Sequence, residues 1–313
     1  MNFLFFDIEC SNCFDGIEKM CEFGYVLCDE NMTHFIRDDI PMSPGKTEDC
    51  RFNLKGRKGE KDIELAYDDE FYFSQPEFPH FYKRIKKLIE APDTICFAYS
   101  MSNDIAHLYN SCKRYNLRPF NYICYDVQKL VSKYFDIKER MSLHNACREI
   151  VGHNAAVKLH EHLSRDDAEM ERLVFDAICV LKNKKPIELL NESSFAKTNA
   201  YGYMKYIESK EKKKKEKAKG RELFHSVLLP NEEMDLDEYK GRRYNVSGDL
   251  KNKYDKLTKV IDIVKSKGGV FVKSLDKTDF LVVVDQKNEE DLKLHLQKPY
   301  DGQIITYDEF VGK

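Results

Sequence analysis

Short apolar runs alternate with stretches of helical spacing over the first 185 residues. Asn2-Phe-Leu-Phe-Phe-Asp-Ile-Glu9 has the length and β-favouring composition of a strand, and Glu22-Phe-Gly-Tyr-Val-Leu-Cys-Asp29 predicts a second. Thr94–Tyr99 and Tyr122–Val127 predict two more. Phe81–Ala91 is helical in spacing, with Ile85, Leu88 and Ile89 on one face. Helical patterns also follow the third strand (Ile105, Leu108, Tyr109, Cys112) and cover Val127–Tyr134 and Ser142–Val151. The longest is Asp166–Lys182, with Met170, Leu173, Val174, Ala177, Ile178 and Leu181 at core positions. Strands alternating with helices predict an α/β sheet covered by helices. From Asn252 the alternation resumes on a smaller scale: a helix to Lys267, strands at Val270–Val272 and Phe280–Val284, a short helix around Asp291–Leu296 and a strand at Gln303–Thr306.

At 313 residues the chain has length for two domains. Hydrophobic residues at 42% and aromatic residues at 12% exclude wholesale disorder. Apolar runs such as Phe280–Val284 fall far short of the roughly 20 residues of a membrane helix. Asp7 and Glu9 interrupt the stretch a signal peptide needs, so no membrane partner is expected. Ten scattered cysteines predict reduced thiols and a cytoplasmic location. The net charge of −3 argues against a wholly polybasic protein, but it is unevenly spread. Lys205–Arg221 holds nine basic residues against Glu208, Glu211 and Glu216, a net of +6; the preceding 204 residues carry −6 and residues 222–313 carry −3. The strip has no apolar face and precedes the acidic Asn231–Glu238. It predicts a solvated, partly helical linker; the sharper alternative is an auxiliary phosphate-contacting strip. The expected organisation is a domain at 1–188, a basic then acidic linker at 189–238 and a small domain at 239–313.

The main chemical signal is Asp7-Ile-Glu9 at the end of an apolar strand, where residues two apart share a face. Adjacent buried carboxylates repel and rise in pKa unless cations lie between them. Asp104, in Ser102-Asn-Asp-Ile-Ala-His-Leu108, opens a helix after a strand, where ligand sites of α/β sheets lie. His162 and Asp167 follow in His160-Glu-His-Leu-Ser-Arg-Asp-Asp-Ala168, with Asp167 starting the long helix. Four acids and a histidine at element ends suit two-metal phosphodiester hydrolysis, in which a histidine can take a proton from the attacking water.

This order of motifs, Asp-x-Glu, Asn-Asp and His-x4-Asp, resembles the DEDD (DnaQ-like) 3′→5′ exonucleases of the histidine type over residues 2–185. Ile17–Asp29 resembles the family's second strand, which carries Glu-Ile-Gly; Tyr125-Asp126 and Met141–Cys147 resemble two further segments. The resemblance implies an α/β, RNase H-like exonuclease domain: a mixed sheet with flanking helices. It implies two divalent ions (Mg²⁺ or Mn²⁺) held by Asp7, Glu9, Asp104 and Asp167, His162 as general base, and the 3′ end of a nucleic acid, chiefly single-stranded DNA, as substrate. The same chemistry would serve an RNA-trimming exoribonuclease, and a non-catalytic scaffold is the alternative of another class. Cys10-Ser-Asn12 stands where the family has Thr-Thr-Gly, positions that in the family line the terminal nucleotide's pocket, so the departure bears on substrate preference more than on chemistry. The polar stretch from about Met42 to Phe78 has no family counterpart, and Leu163 stands where a tyrosine-type third motif needs tyrosine.

Other residues read more simply. His107 reads as structural, His160 has the wrong spacing to Asp167, and Cys10-x-x-Cys13 lacks a second Cys/His pair for zinc. Phe5, Phe6 and Phe97 read as sheet core. Residues 239–313 resemble a BRCT domain, on Gly241–Gly248, Lys267-Gly-Gly269, Lys277–Val284 and Ile304–Phe310. That implies a small α/β tethering module for a protein or DNA partner. Ser247 and Gly248 match the Ser/Thr-Gly of phosphate-binding members, but Asp291, with Lys287 and Lys293 nearby, stands where such members carry lysine.

Overall fold

A computed structural model describes residues 1–11, 18–45, 50, 52–54, 63–137, 141–229, 236–285 and 300–312. Cys13, Lys287, Asp291, Lys293 and the expected helix at 291–296 lie outside the described residues, as does part of the 42–78 stretch. The chain divides into two compact units, Met1–Tyr206 and Ile207–Lys313.

The first unit is a six-stranded mixed sheet with helices against it. Strands β1 (Asn2–Ser11), β2 (Lys19–Asp29) and β3 (His34–Pro41) form an antiparallel meander. Two short strands, β4 (Asn53–Leu54) and β5 (Ile63–Glu64), pair apart from the main sheet. Helices α1 (Asp69–Ser74) and α2 (Phe78–Ile89) precede β6 (Thr94–Ala98), which lies parallel to β1. Helix α3 (Ser102–Arg114) leads to β7 (Ile123–Asp126), parallel to β6. Then come α4 (Val127–Tyr134), α5 (Leu143–Ala146) widening into a π-helical turn at Cys147–Val151, α6 (His153–Ala156), α7 (Ser164–Lys182) and α8 (Pro186–Glu192). Strand β8 (Lys197–Asn199) closes the order β3-β2-β1-β6-β7-β8, antiparallel to β7.

The alternation along β1 produces two cores. Phe3 and Phe5 face α7 with Phe97, Val174 and Phe175, while Leu4, Phe6 and Ile8 face the other side with Ile85, Ile105 and Leu108. Phe5 stacks on Phe97 at 4.4 Å between ring centroids, so these phenylalanines hold the sheet together. Strand β3 did not stand out as an apolar run because Arg37, Asp38 and Asp39 interrupt it, and its first half is exposed at the sheet edge.

The expected first boundary at 188 differs from the observed division. Strand β8 belongs to the first sheet, and Ala200 and Met204 bury in its core, so residues 189–204 are part of that unit. Three residues without an apolar run leave no strand signal, which explains the short reading. The basic strip is the exposed middle of one helix, α9 (Ala200–Val227).

The second unit is a four-stranded parallel sheet in the order β10 (Val270–Phe271), β9 (Arg243–Val246), β11 (Phe280–Val283), β12 (Gln303–Thr306). Helices α10 (Gly248–Lys251) and α11 (Tyr254–Ser266) and a closing helix at Tyr307–Val311 accompany it. Its core joins Tyr244, Val246, Leu257, Val260, Phe271 and Val282 with Phe224. Gly268 has φ +64°, and a Cβ on Gly269 would meet the Tyr244 ring at 2.6 Å, which explains the Gly-Gly pair between α11 and β10. Among the described residues no helix is long and apolar enough to cross a membrane.

Candidate active site

Strand β1 pairs with β6 only as far as Phe5–Phe97, so Asp7 and Glu9 project beyond the parallel pairing at the carboxyl end of the strands. They continue the face of Phe3 and Phe5, and the register shifts after Glu9, a bulge of the kind that re-aims side chains beside sites. Asp7 lies opposite Gly24 on β2. A Cβ on Gly24 would sit 2.0 Å from the Ser164 carbonyl carbon, so the bare glycine lets the first turn of α7 rest on the sheet beside Asp7.

Glu22 fixes that turn. Its Oε1 accepts the Ser164 backbone N–H at 2.8 Å and the Ser164 hydroxyl, while Oε2 accepts the Tyr72 hydroxyl at 2.8 Å. The fully buried carboxylate does what Leu163 cannot at the helix start, satisfying an orphan N–H near the positive end of the helix dipole. Burial pushes its pKa up to about 7, against these three hydrogen bonds.

The two aspartates of this turn differ. Asp166 pairs with Arg37 and Arg165 and accepts the His160 N–H at 2.9 Å. Asp167 is turned toward the other acids and accepts the His162 N–H at 3.0 Å. His162 has φ +65°, unusual for a residue with a Cβ, and this bend brings its Nδ1 to 3.5 Å from Glu9 Oε1. Asp104 opens α3 and is buried.

Asp7, Glu9, Asp104, His162 and Asp167 all line one cleft of about 260 Å³. Ligand atoms of Glu9, His162 and Asp167 lie within 4.8 Å of one another. Burial, reinforced by neighbouring carboxylates, raises the pKa values of Asp7, Asp104 and Asp167 well above the ordinary range. His162 is raised above a normal histidine, chiefly by its hydrogen bond to Glu9 and against burial. A partly buried, oxygen-rich cluster, lined among the described residues by acids and histidines and by no lysine or arginine, is the donor set of hard divalent cations. Binding them would relieve the repulsion, so the residues present fit the ions implied by the sequence.

Three further residues escaped the sequence reading. His107, read as structural, lines the same cleft, with Nδ1 3.1 Å from Glu18 Oε2. Its spacing of three from Asp104 puts both on one face of α3, the signal that could have found it. Glu171, one turn beyond Asp167, accepts the Tyr99 N–H at 2.7 Å, and its Oε2 is buried without a partner among the described residues. Burial, then Asp104, raises its pKa. Glu22 was visible only as part of a strand motif. His160 and His153 are exposed, away from the cleft lining. Cys10 and Cys21 carry free thiols.

In the second unit, Ser247 is buried and its hydroxyl accepts the Leu250 N–H at 3.2 Å, capping α10, while its own N–H donates to the Val282 carbonyl. Gly248 is the first residue of that helix and Asp249 the second.

No family model matches the sequence, and no curated protein matches it. Among solved structures it is similar to a 3′-exonuclease that recognises the histone mRNA stem-loop, at TM-score 0.45 and 11% identity over 59% of this chain and 83% of that one. It is also similar to zinc-bound E. coli exonuclease I in complex with single-stranded DNA, at TM-score 0.46 and 12% identity over 61% of this chain. The alignment spans 42% of the exonuclease I chain.

Proposed function

We propose that the protein is a metal-dependent 3′→5′ exonuclease that hydrolyses terminal phosphodiester bonds of nucleic acid, with Asp7, Glu9, Asp104 and Asp167 as cation ligands and His162 as general base. The observation that carries this reading is the convergence of these five residues, drawn from β1, α3, the turn before α7 and α7, on one cleft. Two divalent ions there would neutralise the carboxylates and stabilise negative charge on the phosphate and the leaving 3′-oxygen. His162 would take the proton of the attacking water. Its ring lies beside Glu9, and its backbone is fixed through Asp167, so the base is oriented by the groups it serves. The Asp-x-Glu, Asn-Asp and His-x4-Asp order supports the histidine-type DEDD reading. Deoxyribonucleic acid is the substrate proposed, and the free thiols suit a reducing cytoplasm.

For the second unit we favour a BRCT-like tethering module. An all-parallel sheet in the order second, first, third, fourth strand, with a Gly-Gly turn before its second strand, supports that reading.

The test is degradation of 3′-labelled single-stranded DNA and RNA in Mg²⁺ or Mn²⁺. Nucleoside 5′-monophosphates should accumulate with the wild-type chain and be lost with Asp7→Ala and with His162→Ala. Full activity in either variant overturns the site assignment. A preference for RNA would move the substrate to the exoribonuclease alternative.

A further inference from the structure

We propose that His107, held by Glu18, accepts a hydrogen bond from a hydroxyl of the terminal sugar and so reads the end of the strand. This rests on the exonuclease reading of the cleft and deepens it. His107 follows Asp104 by one turn on α3 and lines the cleft beside Asn103. Its side chain is 12% exposed, and Nδ1 lies 3.1 Å from the Glu18 carboxylate. A carboxylate partner sets the tautomer: Nδ1 carries the proton and donates it to Glu18, so the ring's remaining polar atom, Nε2, offers a lone pair. Burial lowers the pKa of the ring, against the pull of Glu18 and Glu9, which keeps it neutral near pH 7.

A neutral acceptor pairs only with the donors of a nucleic acid, the N–H groups of the bases and the hydroxyls of the sugar. Phosphate oxygens are acceptors themselves and gain nothing from it. The cleft, at about 260 Å³, is near the lower limit of small-ligand sites, roughly 300 Å³, which matches one terminal residue. With the scissile phosphate at the carboxylates and His162, the attached sugar must occupy neighbouring space, and α3 supplies part of that wall. The donors a terminal sugar offers are its 3′-hydroxyl and, in RNA, its 2′-hydroxyl.

The experiment compares one oligonucleotide sequence with three ends: deoxyribose bearing a 3′-hydroxyl, its 3′-deoxy analogue, and ribose. The wild type should favour the end carrying the hydroxyl it reads by about 3- to 10-fold in kcat/KM, the size of one net hydrogen bond. His107→Phe should shrink that ratio to about twofold or less, Glu18→Ala should shrink it partway, and His107→Gln, which keeps an acceptor, should restore much of it. Collapse of the 3′-hydroxyl ratio identifies the 3′ group, and collapse of the ribose ratio identifies the 2′ group. If neither ratio moves in His107→Phe, or the wild type shows no hydroxyl preference, the proposal is wrong. Binding of deoxythymidine 5′-monophosphate against its 3′-deoxy form, and of uridine against deoxyuridine 5′-monophosphate, supplies the same ratios without turnover. A His107-dependent ratio in binding with no degradation by the wild type would overturn the exonuclease reading alone; no such ratio in either measurement overturns the assignment of His107.

Discussion

Two helix starts in this chain look alike in sequence and differ in what they leave unsatisfied. Helix α10 begins after β9 with Ser247-Gly248, and α7 begins beside β2 with Ser164 and two aspartates. At α10 the start is capped by its own residue: the Ser247 hydroxyl accepts the Leu250 N–H, and the Ser247 N–H is taken by Val282 of β11. At α7 the cap comes from another strand, through Glu22, and this frees Asp167 to turn toward Asp7 and Glu9. The second start carries surplus bonding capacity in Asp167, a buried carboxylate whose pKa is raised by burial and by Glu9. A site is marked less by its residue types than by polar groups that the fold has gathered and not paired.

That contrast can be broken in steps. Removing the gathered groups should have the largest effect: Asp7→Ala or Asp167→Ala should lower kcat by roughly 1,000-fold or more and His162→Ala by about 100- to 10,000-fold, in steady-state nuclease assays. Next is the contact that seats α7. Gly24→Ala places a Cβ 2.0 Å from the Ser164 carbonyl carbon, and its melting midpoint should fall by an amount equivalent to about 1–3 kcal/mol or more, with activity falling alongside. An unchanged midpoint would show that the close approach is not needed.

Glu22→Gln tests the borrowed cap through pH. With its folded pKa raised to about 7 from an ordinary 4.5, Glu22 holds a proton in the native state that the unfolded chain has released. Its contribution to stability is therefore fully present below about pH 4.5 and is lost as pH rises through 7, by roughly 3 kcal/mol. The wild-type melting midpoint should decline more steeply across that window than that of Glu22→Gln; parallel curves would contradict this. Smallest is Ser247→Ala, which should destabilise the second unit by about 1 kcal/mol, as loss of an ordinary cap does.

Much of this arrangement was legible in the sequence, for identifiable reasons. Strands β1, β2, β6 and β7 are apolar runs and α7 has a long helical repeat, so periodicity alone located them. The five candidate residues could be singled out because each stands at the end of an element. Strand β3 and strand β8 could not, since edge position and three-residue length remove the apolar signal. The roles of Glu22 and Gly24 depend on which part of α7 lies over β2, a cross-strand relation between residues 142 apart in the case of Glu22 and Ser164. His107 was set aside because a single histidine in a helix is usually structural; its contact with Glu18 and its place in the cleft are tertiary facts. The basic strip, read as a partly helical linker, is helical throughout, because lysine and glutamate are good helix formers even without an apolar face.

The mutual repulsion of Asp7, Asp104 and Asp167 also bears on how the first unit folds. These carboxylates are distant in sequence and meet only after β1, α3 and α7 have docked, so a partly folded chain is spared most of their repulsion. The cluster should then be a load felt on the native side of the barrier. Divalent cations should lift that load after the rate-limiting step, slowing unfolding while leaving the folding rate nearly unchanged. In a denaturant chevron, added Mg²⁺ should lower the unfolding arm and leave the folding arm in place; a shift of the folding arm would mean the carboxylates come together early.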